Sequence, residues 1–101
     1  MTPEGRVKHG IKKVIKRYGK QIWSFWPVQT GFGRRTVDAH LCIKGRFVAI
    51  EVKAPGEYPT DAQQRELTDV STAGGLAVHF DSAFAFQQFL DMTFPGLVPL
   101  E

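Results

Sequence analysis

Near the start of the chain apolar residues recur every three or four positions: Val7, Ile11, Val14, Ile15 and Tyr18, with Lys8, Lys12, Lys13, Lys16 and Arg17 filling much of the remainder. This spacing predicts an amphipathic helix from Thr2 to about Tyr18. Thr2 would cap it, Pro3 would lie in its first turn and Gly19 would stop it, while Gly10 weakens the pattern without cancelling it. Glu4 falls on the same stripe as Val7 and Ile11. An acid there either complements the positive helix start or supplies a further carboxylate to a site.

The period then changes to two. Gln21 to Val28, QIWSFWPV, reads as a strand with Pro27 near its end. Ile22, Ser24 and Trp26 alternate with Trp23 and Phe25, which implies burial on both faces or an aromatic contact surface able to stack on bases. Thr36 to Lys53, TVDAHLCIKGRFVAIEVK, consists of two β-branched, apolar arms around Lys44-Gly45 and predicts a hairpin. With a two-residue turn, Ile43 faces Arg46, Leu41 faces Val48 and Asp38 faces Glu51. Lys53 then shares the face of Glu51, and Val48, Ile50 and Val52 point the other way. A slip of one residue would send Asp38 to the opposite face.

Between these stretches Gln29 to Arg35 is a glycine-containing loop. It lacks the Gly-Lys-Ser/Thr ending of a nucleotide-phosphate loop. Beyond Lys53 the run APGEYPT is a connection. Thr60 and Gln63 predict a capping box for a helix that passes through Leu67 and Val70 to about Ala73 and ends at Gly74-Gly75. Leu76 to Phe80 predicts a short strand, parallel to its neighbour and central in the sheet. Ser82 would cap a last helix from Ala83 to about Met92, with Phe86, Phe89 and Leu90 on one face and Phe84 towards its edge. The apolar tail FPGLVPL is suited to subunit contact or to packing across the sheet.

At 101 residues and 43% hydrophobic content, the chain has the material for one folded α/β domain, residues 1–101. Its one cysteine excludes an internal disulfide or a multi-cysteine zinc site, and the alternation places Cys42 in the packed interior or beside the site. With no apolar run long enough to cross a bilayer and no leader-like start, the expectation is a protein of the cytoplasm. The net charge of +3 conceals an asymmetry: residues 1–35 hold nine Lys or Arg against one Glu, and residues 36–101 hold four against nine acids. The basic half suits a polyanion, with Lys8, Lys12, Lys16, Arg34 and Arg35 as candidate DNA-binding residues. Arg34 and Arg35 also stand next to the strand carrying Asp38, placed to hold phosphates.

Two carboxylates side by side on one face repel each other unless a cation lies between them. Hard cations such as Mg²⁺ and Mn²⁺ take carboxylate and carbonyl oxygens, and Lys53 adds a positive charge suited to a phosphate or an attacking water. That is the outline of a phosphodiesterase site. In the blander alternative Asp38 begins a strand and Glu51 and Lys53 form an exposed ion pair. His40, alternating with Asp38, is a weaker site candidate than the two arginines.

Asp38, Glu51-x-Lys53, Ala54-Pro55-Gly56, Pro59-Thr60, Gln63 and Ala73-Gly74-Gly75 together resemble the virus-type replication-repair nuclease (VRR-NUC) domain, a branch of the restriction-endonuclease-like superfamily with Pro-Asp and Asp/Glu-x-Lys motifs. Val37 stands at the position of the family's proline, Ala39 where many relatives have arginine, and Val78-His79-Phe80 in place of the Val-Arg-Arg motif. The resemblance implies a restriction-endonuclease-like core, αβββαβα, with a mixed sheet flanked by helices. It implies Mg²⁺ or Mn²⁺ held by Asp38, Glu51 and the Val52 carbonyl, with Lys53 assisting the nucleophile, Gln63 beside the site and Glu4 as the acid of the first helix. It further implies a phage-type homodimer that hydrolyses DNA, chiefly branched or four-way-junction DNA, without an organic cofactor or a membrane. The competing expectations are a non-catalytic DNA-binding module of phage replication or repair, and a structural phage component.

Overall fold

Thr2 caps the first helix: its Oγ1 accepts the Gly5 N–H at 3.0 Å. In the computed structural model, which describes residues 1–29 and 33–100, α1 (Pro3–Lys16) is followed by a short 3₁₀ turn (Gly19–Gln21) and then by β1 (Ile22–Phe25), β2 (Ala39–Ile43), β3 (Arg46–Val52), α2 (Asp61–Thr72), β4 (Leu76–Phe80) and α3 (Ala83–Thr93). The element order is therefore αβββαβα. The middle of the 29–35 loop predicted from sequence, residues 30–32, lies outside the described residues.

Lys44 and Gly45 both adopt positive φ, 51° and 78°, the requirement of a two-residue hairpin turn whose twist matches the strands. This turn fixes the register, with Ile43 opposite Arg46, Leu41 opposite Val48 and Ala39 opposite Ile50. β1 pairs antiparallel with β2, and β4 pairs parallel with β3 through the α2 crossover, giving a mixed sheet in the order β1-β2-β3-β4. β4 is thus parallel to its neighbour as expected but lies at the sheet edge. Its position after a helix and the Gly74-Gly75 pair suggests a central strand. Here α2 on one face and α3 on the other shield it without a strand beyond.

α1 and α3 cover the face bearing Leu41, Ile43, Val48, Ile50 and Val52, all fully buried. Val7, Ile11, Val14 and Ile15 of α1 and Phe86 and Leu90 of α3 complete this core, whose Phe80–Phe86 rings meet edge-on at 5.3 Å. α2 covers only part of the opposite face, where Val37, Ala49 and Leu67 form a smaller cluster joined by Val70 and Ala77. The β1–β2 half of that face is open, so Cys42, expected inside or beside the site, is exposed.

β1 is shorter than the predicted Gln21–Val28. Its pairing stops at Phe25 opposite His40, and Trp26 leaves the ladder to lie under the Lys12 ammonium, 4.7 Å from the ring centroid. Gln21 belongs to the 3₁₀ turn and holds the tail: its amide donates to the Val98 carbonyl at 2.6 Å and accepts the Val98 N–H at 3.0 Å. The Leu100 N–H bonds to the Arg17 carbonyl at 2.8 Å. The apolar tail is thereby pinned at the corner between α1 and β1. Among the described residues no helix is long and apolar enough to cross a membrane.

Candidate metal centre

The hairpin register extends one step past its last backbone pair, so Asp38, just before β2, faces Glu51 near the end of β3. Asp38 is held there by its own carboxylate: Oδ2 accepts the Val52 N–H at 2.8 Å. A strand residue's N–H and C=O point to the same side, so the Val52 carbonyl also faces the space that β2 has vacated. Val37 anchors the approach from below, 2% exposed against Ala49 and Leu67. Gln29 closes the preceding loop by bonding to Thr36 and Val37 backbone groups.

The two carboxyls act on each other's titration. Burial, and then the hydrogen bond and charge of Asp38, push the Glu51 carboxyl up to about 8. Burial also acts to raise Asp38, but the bonds from Glu51, the Val52 N–H and Lys8 outweigh it and hold Asp38 below the ordinary aspartate value. Lys53, nearly buried, lowers the Glu51 value against these effects, and its backbone N–H is fixed to the Phe80 carbonyl at 2.9 Å.

Lys8 enters this site from α1. Its Nζ is 3.1 Å from Asp38 Oδ1 and 3.5 Å from Glu4 Oε2. Desolvation would lower the lysine, but Asp38 and Glu4 raise it. Lys8, read from sequence as one of several surface bases, therefore occupies the Asp38 oxygen left free by Val52, and Glu4 joins the site through it.

A cleft of about 450 Å³ opens beside the acids and is lined by Arg35, Asp38, Glu51, Thr60, Gln63 and Glu66 among others. Gln63 belongs to the cleft wall while its side-chain oxygen accepts the Thr60 N–H at 2.9 Å, closing the capping box of α2. The structure therefore accommodates both sequence readings of Gln63. Arg34 is exposed and paired with Glu66 at 2.8 Å. Lys12 is engaged by Trp26, and Lys16 lines a separate groove with Lys13 and Arg17, so neither lies in the cleft.

The sequence does not single out two residues, His79 and Lys8, as neighbours of the acid pair. His79 of β4 is the parallel partner of Glu51 and packs edge-on against Tyr58. Its signal was the parallel pairing itself, which places it beside Glu51 on the same face. Lys8 had a fainter signal, its one-turn spacing from Glu4.

Among the described residues no three His, Cys, Asp or Glu side chains are grouped to hold a metal. The donor set is two facing carboxylates and the Val52 carbonyl, all oxygen, with the rest of any coordination shell left to water. This fits a hard, well-hydrated cation and does not fit a zinc or copper centre. Two facing carboxyls, one held low and the other raised, are the kind of electrostatic conflict that such a cation relieves. In comparison with known proteins, no family model matches the chain and no match was found among curated proteins.

Proposed function

We propose that this protein is a divalent-metal-dependent DNA endonuclease with a restriction-endonuclease-like core of the virus-type replication-repair kind. The observation that carries the reading is the Asp38–Glu51 pair, set on one face by the Lys44-Gly45 turn with Lys53 beside it. The αβββαβα order and the mixed sheet support it. Asp38, Glu51 and the Val52 carbonyl would hold Mg²⁺ or Mn²⁺. When bound, the ion supplies Lewis-acid stabilisation of the charge that gathers on phosphate oxygens.

The chain's own groups supply the rest. Lys53, directly after β3, would orient water or hold a non-bridging phosphate oxygen. Lys8 offers a second cation, available to phosphate once Asp38 Oδ1 is otherwise engaged. Arg35 on the cleft wall suits the flanking backbone. The resemblance adds branched or four-way-junction DNA as substrate and a homodimer as the working unit, since paired sites are needed to cut opposed strands together.

The test is cleavage of linear duplex, flap and four-way-junction DNA with Mg²⁺ or Mn²⁺. Cutting by the wild type and its loss in Glu51→Ala with DNA binding retained support the enzyme. Binding without cutting in the wild type favours the second reading, a DNA-binding module. The Lys8–Asp38 ion pair supports that alternative, because it neutralises the acid without any metal.

A further inference from the structure

The half of the α2 face that α2 leaves open carries a continuous run of rings. Trp23 and Phe25 on β1 lie 6.4 Å apart with planes inclined by only 23°. Phe25 approaches His40 of β2 at 6.1 Å, and His40 approaches Phe47 of β3 at 5.7 Å. Trp23 is 59%, Phe25 50% and Phe47 45% exposed, although a β-strand could have directed polar residues to water here. Register explains the alignment: Trp23 pairs with Cys42 and Cys42 with Phe47 in one row, and Phe25 pairs with His40 in the next.

We infer that this platform binds unpaired nucleotides by stacking their bases on Trp23 and Phe25, next to the strand positions that hold the candidate metal centre. The occupant follows from place and charge. His40 is two residues from Asp38 on the same face, so the platform begins about 7 Å along the strand from the acid pair. A chain seated on the rings would run along the strands towards the acid pair. Across the exposed rows of β1 and β2 there is no acid, and basic residues stand at both ends, Arg35 at the cleft and Lys44 at the hairpin tip. Rings flanked by bases are the composition that holds single strands without sequence preference. A second protein copy seated here would instead lie across the approach to Asp38 and Glu51.

This inference rests on the nuclease reading for its purpose: it makes the substrate one with an unpaired segment. Its test is independent of cutting. Labelled oligothymidylate and a duplex of equal length are titrated in EDTA with wild type, Trp23→Ala/Phe25→Ala, Trp23→Phe and, as an exposed aromatic on α3, Phe84→Ala. The expected result is a loss of single-strand affinity of about 5- to 150-fold in the double variant, with duplex affinity, Trp23→Phe and Phe84→Ala changed by less than about twofold. Photocrosslinking of wild type to an iodouracil-substituted strand should map to Trp23 or Phe25, a readout that needs no variant to fold. Unchanged single-strand binding in the double variant, or crosslinks confined to other residues, overturns the inference. So does a loss of binding accompanied by a fall in oligomeric mass on sedimentation, which would make the platform a contact between copies. If the protein never cuts DNA the stacking test still stands, and if stacking fails the Glu51→Ala cleavage result is unaffected.

Discussion

Asp38 accepts the Val52 N–H through Oδ2 at 2.8 Å, continuing with a side chain the β2–β3 ladder that backbone pairing ends at Ala39. The acid is thus both a structural bracket and a charge. Asp38→Asn retains an oxygen to accept that N–H and loses the charge, whereas Asp38→Ala leaves the donor without its partner. Thermal melts at a common pH should show the alanine variant less stable than the asparagine variant by about 1–2 kcal/mol. That is roughly 4–16 °C in Tm for a domain of this size. Equal melts would mean that the bond contributes nothing.

In the metal-free protein Glu51 is pushed up to about 8 from 4.5, first by burial and then by Asp38. Between those values the folded state keeps a proton that the unfolded state has released, so stability falls as pH rises from 4.5 towards 8. Glu51→Gln should flatten this slope and, at pH 8 in EDTA, stabilise the protein by an amount of order 1 kcal/mol after allowance for solvent screening. Asp38, held low, works in the opposite sense: its contribution is present above its ordinary 3.8 and is lost in more acidic solution. A melting temperature independent of pH between 5 and 8 in wild type would refute the Glu51 assignment.

Lys8 competes with any cation for Asp38 Oδ1, from which its Nζ is 3.1 Å distant. Removing a partly exposed ion pair of about 1 kcal/mol should tighten binding of Mn²⁺ about fivefold in Lys8→Ala. The same variant should bind DNA more weakly, because one phosphate-directed cation is gone. Calorimetry with the ion alone separates the effects, and weaker Mn²⁺ binding in Lys8→Ala would show that the lysine organises the site instead of competing for it.

Gln63 closes the α2 capping box from the cleft wall. Gln63→Glu preserves the reciprocal cap, and Gln63→Ala removes half of it at a cost of about 0.5–2 kcal/mol. If Gln63 also touches substrate, the glutamate variant should melt like wild type yet bind DNA more weakly. Wild-type binding by Gln63→Glu would confine the residue to capping.

Features set by neighbouring residues were legible in the sequence. Thr2, Thr60 and Ser82 carry the helix-starting chemistry and cap α1, α2 and α3. Lys44-Gly45 carries the hairpin turn and thereby the register that places Asp38 opposite Glu51. What depended on distant packing was not legible. Apart from the one-turn spacing of Lys8 from Glu4, the local pattern does not distinguish Lys8 from Lys12, since the docking of α1 on the sheet decides which lysine reaches Asp38 and which meets Trp26. Cys42 alternates correctly within its strand, but whether its face is covered depends on how far α2 extends across the sheet. β4 lies at the edge for the same reason: strand order is a property of the assembled sheet.

The most direct test of the shared-cation site is calorimetric titration with Mn²⁺ at pH 7 in two buffers of different ionisation enthalpy, for wild type, Asp38→Asn and Glu51→Gln. Wild type should bind with release of protons as Glu51 gives up the proton its raised pKa retains, and either substitution should weaken binding at least about tenfold. Mn²⁺ binding that is unchanged by both substitutions, or no binding to the wild type, would contradict the account.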